Sequence, residues 1–242
     1  MSLQQTNTIL FEDNYFVVAN KPSGIAAIPE RNGDREKSFV GQLEKTLGPL
    51  LVVHRIDKQT SGALCFAKTE EAHKALNILF EGRNIEKEYL AVVKGNMLET
   101  HGIINEPLAE NPARPGTMKI HPKGKEAISE FWVKENFRHA ALLRVNIYTG
   151  RTHQIRVHLK SISHPLLVDE IYTDTKAFYI SSCIKKFKRN EEEPERPTIA
   201  RLTLHAASLS FTHPFSQQKI SVEAPLPKDL ETLLKLLRKN DT

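Results

Sequence analysis

The chain reads as an α+β protein, and two features of its pattern say so. Its strand-like segments come in hairpin pairs and not in regular βαβ units, which points to a largely antiparallel sheet. Its helical segments are few, separate and amphipathic, each needing only one apolar face covered. At 242 residues, 40% of them hydrophobic, the chain can bury a sizeable core as one large domain or two small lobes. No internal repeat and no linker marks a boundary, so a single domain over residues 1–242 is expected.

The elements follow in chain order. Residues 9–19 read as two short strands around an acidic turn, closed by the Pro/Gly loop Asn20-Lys21-Pro22-Ser23-Gly24. Residues 30–38 are charged, and Phe39 to Leu47 suits a short helix. Two apolar runs, Leu50 to Val53 and Ala63 to Ala67, have the length of buried strands. Between them lies His54-Arg55-Ile56-Asp57-Lys58-Gln59-Thr60-Ser61-Gly62, whose last three residues also carry ordinary turn chemistry. Thr69 can cap a helix that puts Ala72, Ala75, Leu76, Leu79 and Phe80 on one face, with Gly82 as its stop.

Glu86 to Gly95 reads as a strand with Tyr89, Ala91 and Val93 sharing a face. Residues 109–126 carry Arg114, Lys119, His121, Lys123 and Lys125 among prolines and glycines, as an exposed basic loop or a loose hairpin. Ala127 to Val133 and Ala140 to Ile147 make an antiparallel hairpin turning at Glu135 and Asn136. In Gly150 to Leu159, Thr152 is a candidate N-cap, and Ile155, Leu159 and Ile162 are spaced for one helical face. Arg151, His153, Gln154 and Arg156 then crowd a helix start whose dipole favours acids, a conflict that a nearby anion would resolve. A mixed charge block at 185–197 reads as an exposed insertion, Leu202 to Phe211 as a strand, and Leu230, Leu233, Leu234 and Leu237 as the apolar face of a terminal helix.

Several classes drop out. No apolar run approaches the roughly 20 residues that span a bilayer. Met1 to Thr8 lacks the basic start and apolar middle of a secretory signal, so a cytoplasmic location is expected. Two cysteines, Cys65 inside an apolar run and Cys183, are too few for a structural zinc site. A metal-dependent hydrolase is disfavoured because His153 and His158 are five residues apart, not one helical turn. The net charge of +5 permits a polyanionic partner.

Three polar residues stand out of the apolar framework: Asp57, Tyr89 and Arg156. The segment His54 to Gly62, Lys87-Glu88-Tyr89-Leu90-Ala91, and Gly150-Arg151-Thr152-His153-Gln154-Ile155-Arg156 resemble the three main motifs of the RluA-type pseudouridine synthases. Asn20 to Gly24, His164-Pro165, Leu204-His205-Ala206 and Ala224-Pro225-Leu226-Pro227 resemble its lesser motifs, and all stand in the family's order over about residues 14–228. The resemblance implies conversion of uridine to pseudouridine in ribosomal or transfer RNA, without cofactor or metal. It implies Asp57 as catalytic carboxylate, Arg156 as its ion-pair partner, Tyr89 as the aromatic against the target base, and Arg55 as the residue entering the vacated stack. Attack at ribose C1′, addition at uracil C6 and removal of a ribose 2′ proton all remain open for Asp57.

The same resemblance implies a mixed, largely antiparallel sheet in two halves flanked by helices, with a basic active-site cleft. It turns Lys119, Lys123 and Lys125, together with Arg151, His153 and Gln154, into expected RNA contacts. Departures are small: Val168 stands where glycine is usual, and Ala63 where leucine is common. A monomer with no separate N-terminal RNA-binding module is expected, leaving target choice to the catalytic domain, its loops or a partner. The competing reading is a catalytically silent RNA-binding protein of the same fold, which the presence of Asp57, Tyr89 and Arg156 argues against.

Overall fold

The structure, a computed structural model, describes residues 8–30, 33–183 and 195–241. They form two compact units, the first from residues 1–89 and 205–225, the second from residues 90–204 and 226–242. The expected charged insertion at 185–197 lies mostly outside the described residues. Among the described residues no helix is long and apolar enough to cross a membrane.

The first unit opens with the expected hairpin, β1 (Ile9–Glu12) and β2 (Phe16–Lys21). Asp13 makes its turn, one carboxylate oxygen accepting the amides of Tyr15 and Phe16 at 2.7 and 2.8 Å. After helix α1 (Phe39–Leu47), capped by Ser38, comes β3 (Leu51–Val52), half-buried and shorter than the buried strand its apolar run suggested. Strand β4 (Ser61–Ala67) is buried throughout, pairs antiparallel with β2 and β3, and starts in a parallel bridge to β11 (Leu204–Thr212) at Ser61 and Gly62. β11 continues as a hairpin with β12 (Lys219–Glu223). Helix α2 (Glu70–Glu81) is capped by the Thr69 hydroxyl, as expected, and buries Ala72 and Leu76. Gly82 does close α2, but in a right-handed conformation; the left-handed residue is Arg83 at φ 58°. Phe16, Val18, Cys65, Leu76, Leu209 and Phe211 fill the core.

The parallel bridge explains a second departure. Thr60-Ser61-Gly62 is not itself the turn: the chain turns at Lys58 and Gln59, closed by the Thr60 amide on the Asp57 carbonyl at 3.0 Å. Ser61 and Gly62 already belong to β4. Gly62 sits at φ 117°, and a Cβ there would lie 2.0 Å from the Ala206 carbonyl oxygen, so only glycine lets the two strands meet.

Strand β5 (Ile85–Lys94) carries the chain from Tyr89 in the first unit to Leu90 in the second. There β6 (His101–Asn105), β9 (Ile128–Asn136) and β10 (Ala140–Ile147) pair antiparallel, with β9 between the other two. The β9–β10 turn falls at residues 137–139, just past the expected Glu135 and Asn136, because Phe137 turns inward to the core. The basic segment is a hairpin of its own, β7 (Leu108–Glu110) with β8 (Met118–Ile120). Helix α3 (Gln154–Ser161) follows, and α4 (Lys228–Lys239) lays Leu230, Leu233, Leu234 and Leu237 into a core with Val92, Leu142, Leu167 and Phe178.

Candidate active site

In the first unit, everything around Asp57 fixes its backbone. His54 stacks on Phe80 at 4.4 Å, and its Nε2 accepts the Cys65 amide at 3.0 Å. Burial, with a contribution from the Lys87 charge, lowers the His54 pKa to about 3, so the ring is a neutral strut at physiological pH and no acid–base catalyst. Two residues on, Ile56 is buried as an anchor. Immediately after Asp57, the Lys58 carbonyl accepts both the Gly24 amide at 2.9 Å and Lys21 Nζ at 3.0 Å. Lys21 is fully buried; its ammonium also donates to the carbonyls of Pro22 and Ile25 at 2.9 and 2.7 Å. The Ser23 hydroxyl donates to the Gln59 carbonyl at 2.6 Å. The Asn20 to Gly24 loop thus wraps the turn that presents Asp57.

Tyr89 is 8% exposed. Burial first, and the Asp57 charge second, raise its pKa well above the usual phenol range, which places the hydroxyl within the electrostatic reach of that carboxylate. At physiological pH Tyr89 therefore keeps its proton and acts as a neutral phenol. Nearby, His205 Nε2 faces the Ala224 carbonyl at 3.2 Å and therefore carries the hydrogen, leaving Nδ1 to accept from the Ser61 hydroxyl at 2.9 Å. Arg55, expected at the RNA, is exposed.

In the second unit, the start of α3 differs from expectation. Thr152 is exposed and does not cap; His153 occupies the N-cap with φ 55° and no side-chain capping bond. Gln154 takes over instead: its oxygen accepts the Arg151 amide at 3.0 Å and the Thr149 hydroxyl at 2.8 Å, and its nitrogen donates to the Ile128 carbonyl and the Ser129 hydroxyl. At 3% exposure, with all four hydrogen-bonding positions of its amide used, Gln154 supports the helix start. His158 is buried below it, between the Ser129 hydroxyl and the Glu106 carbonyl.

Arg156 is buried, and its Nε and Nη2 donate to the two oxygens of Asp169 at 2.8 and 2.7 Å. Such a bidentate pair fixes the plane of the guanidinium. One face of that plane lies over the Tyr172 ring, 4.9 Å from its centroid. Asp169 is one anion of the kind that the crowd of cations called for. Neither Asp169 nor Tyr172 was singled out from the sequence, since each acts through a partner 13 to 16 residues back along the chain.

The basic groups gather around the small hairpin. A cavity of about 500 Å³ is lined by Lys123, Lys125 and Arg151 with Gly150 and Thr152. A second, of about 350 Å³, is lined by Arg114, Lys119, Lys160 and Tyr172. Lys123 and Lys125 are exposed and Lys119 half-buried. Cations at such mouths suit phosphate oxygens. Among the described residues, no group of three or more His, Cys, Asp or Glu is placed to hold a metal ion.

Residues 15–161 match the model of the family described as RNA pseudouridylate synthase. Ribosomal large subunit pseudouridine synthase C of Yersinia pestis is 36% identical over 97% of this chain and 70% of its own length. Ribosomal large subunit pseudouridine synthase D of Nitrosomonas europaea is also 36% identical, over 95% of this chain and 65% of its own. The solved human RNA pseudouridylate synthase domain containing 4 shares the fold with a TM-score of 0.72 at 22% identity, over 96% of this chain and 94% of that one. Human RNA pseudouridylate synthase domain containing 1 does so at 0.70 and 24%, over 98% of each. The chain belongs to the RNA pseudouridylate synthase family, in its RluA-type branch, and is an RNA pseudouridine synthase, an isomerase.

Proposed function

We propose that the chain isomerises uridine in large-subunit ribosomal RNA, the substrate class its relatives are named for, with Asp57 as the reacting carboxylate. The observation that carries this reading is the Asp57–Tyr89 coupling: a braced carboxylate acts on a buried phenol that stays protonated. A uridine stacked in folded RNA must first be extruded, at a cost of a few kcal/mol. Arg55, exposed two residues before Asp57, fills the vacated space in this reading. The Tyr89 ring packs on the flipped base, a contact of the kind that contributes roughly 1 to 3 kcal/mol.

In the reaction the C1′–N1 bond breaks, a C1′–C5 bond forms, the C5 proton leaves to solvent and N1 takes up a proton, so no oxidant or reductant is needed. Each of the three routes open to Asp57 starts from a carboxylate, and Arg156 is assigned to the reaction by the motif it stands in. The basic hairpin, with Lys119, Lys123 and Lys125, together with Arg151 and His153, is assigned to the RNA backbone.

The test is release of tritium from RNA labelled at uridine C5. Wild type is expected to release label from ribosomal RNA, and Asp57→Asn to lose the rate by on the order of a thousandfold while still binding. Release by Asp57→Asn at the wild-type rate would remove Asp57 from the chemistry. Release from transfer RNA alone would overturn the substrate class, and binding without release from either would leave the silent-binder reading.

A further inference from the structure

Tyr172 touches more of the second unit's functional groups than any single role in packing requires. Its ring lies under the Arg156 guanidinium at 4.9 Å, while Asp169 holds that guanidinium by the edge. Its own amide donates to Asp169 Oδ1 at 3.1 Å, so the supports from face and edge are joined through its backbone. Its hydroxyl accepts the amide of Met118, the first residue of β8, at 2.8 Å, and lies 2.8 Å from Nδ1 of His153, the left-handed residue that starts α3. Its carbonyl accepts Lys160 Nζ at 2.7 Å. The ring also packs with Met118 and Ile120 on Leu108, Ala127 and Val157, the apolar foot on which the basic hairpin stands.

We infer that Tyr172 is a positioning residue that couples the basic hairpin to Arg156. The hydroxyl reads the hairpin and the ring sets the guanidinium. With Met118 donating to the phenol oxygen, the phenol hydrogen is available to His153, and one oxygen then links β8 to the helix start. A shift of β8 as Lys119 meets the RNA backbone is transmitted to the ring, and an aromatic face attracts a cation only when the two stay in register. The coupling rests on the proposed reading in which Arg156 serves the reaction and the hairpin contacts RNA.

The two halves of the role can be separated. Tyr172→Phe keeps the ring and removes the hydroxyl; Tyr172→Leu removes both. Label release is measured in single turnover at saturating RNA, per folded enzyme, together with the RNA concentration giving half the maximal rate. Tyr172→Leu is expected to lower the saturated rate by roughly tenfold, and Tyr172→Phe to recover most of that loss while still raising the half-saturating RNA concentration severalfold. A purely structural tyrosine would cut the folded fraction of both variants and leave rate and half-saturation per folded molecule unchanged, which would overturn the coupling. So would equal saturated rates in the Phe and Leu variants. Arg156→Ala is the control: if it is slow while Tyr172→Leu runs at the wild-type rate, the coupling alone falls, whereas wild-type rate in Arg156→Ala removes Arg156 from the reaction.

Discussion

His54 stands three residues before Asp57 and does its work by staying neutral. Its ring accepts a β4 amide and stacks on Phe80, and neither environment welcomes a proton. The unfolded chain binds a proton near the ordinary value of 6.5, while the folded chain resists until about 3. Stability from this group is therefore complete above pH 6.5 and is lost as pH falls between those values, by about 1.4 kcal/mol per unit. Between pH 7.5 and 5, wild type is expected to lose up to about 2 kcal/mol more than His54→Gln, read by urea unfolding at each pH. His158, lowered by its own burial, leaves a residual slope in both proteins. Identical slopes would mean that His54 is free to protonate in the fold. At this scale Asp57, Tyr89 and Arg156 stood out in the sequence because each belongs to a polar motif beside an apolar run. Lys21 was visible only as part of a loop motif, since the carbonyl of Lys58 that gives its burial a purpose lies 37 residues away.

Elements with a strong period were legible almost to their ends: α1, α2, α4 and the β9–β10 hairpin depend on spacing within one segment. The start of α3 was not, because it is braced by the Gln154 side chain, held by Thr149, Ile128 and Ser129, and no local pattern encodes those partners. The start of β4 was hidden similarly by its parallel bridge to β11. The basic hairpin lies between these cases, its charge plain in the sequence and its fold set by the β7–β8 pairing. Because Lys123 and Lys125 are exposed and Lys119 lines a cavity mouth, they cost the fold little and remain available to a polyanion. Replacing all three by alanine is expected to weaken RNA binding and to flatten its dependence on salt. The loss in slope is roughly 0.7 to 0.9 for each phosphate contact removed. Titrations across a salt series measure this, and an unchanged slope would take the hairpin away from the RNA backbone.

At the scale of the whole molecule, the chain visits the first unit, the second, the first again for β11 and β12, and the second again for α4. Two of the three crossings fall inside strands, at Tyr89–Leu90 in β5 and at Leu204–His205 in β11, where no loop or change in composition could reveal them in the sequence; the third, at Pro225–Leu226, falls in the loop between β12 and α4. One consequence is that the second unit is finished only by the last residues of the chain. Leu230, Leu233, Leu234 and Leu237 are each at most 4% exposed, and Arg201 grips Asp229 at the head of α4 through two bonds of 2.6 and 2.7 Å. Four such leucines are worth roughly 1.5 to 3 kcal/mol each, a sum that rivals the whole stability of an ordinary domain. A chain ending at Pro225 is thus expected to lose ordered packing around Phe137 and Phe178 and to expose apolar surface, seen as lost near-ultraviolet dichroism and gained dye binding. Leu233→Ala, a gentler cut at a fully buried position, should cost about 2 to 5 kcal/mol in urea unfolding. A truncated chain that keeps the denaturation midpoint of the full one would show that the second core closes without α4.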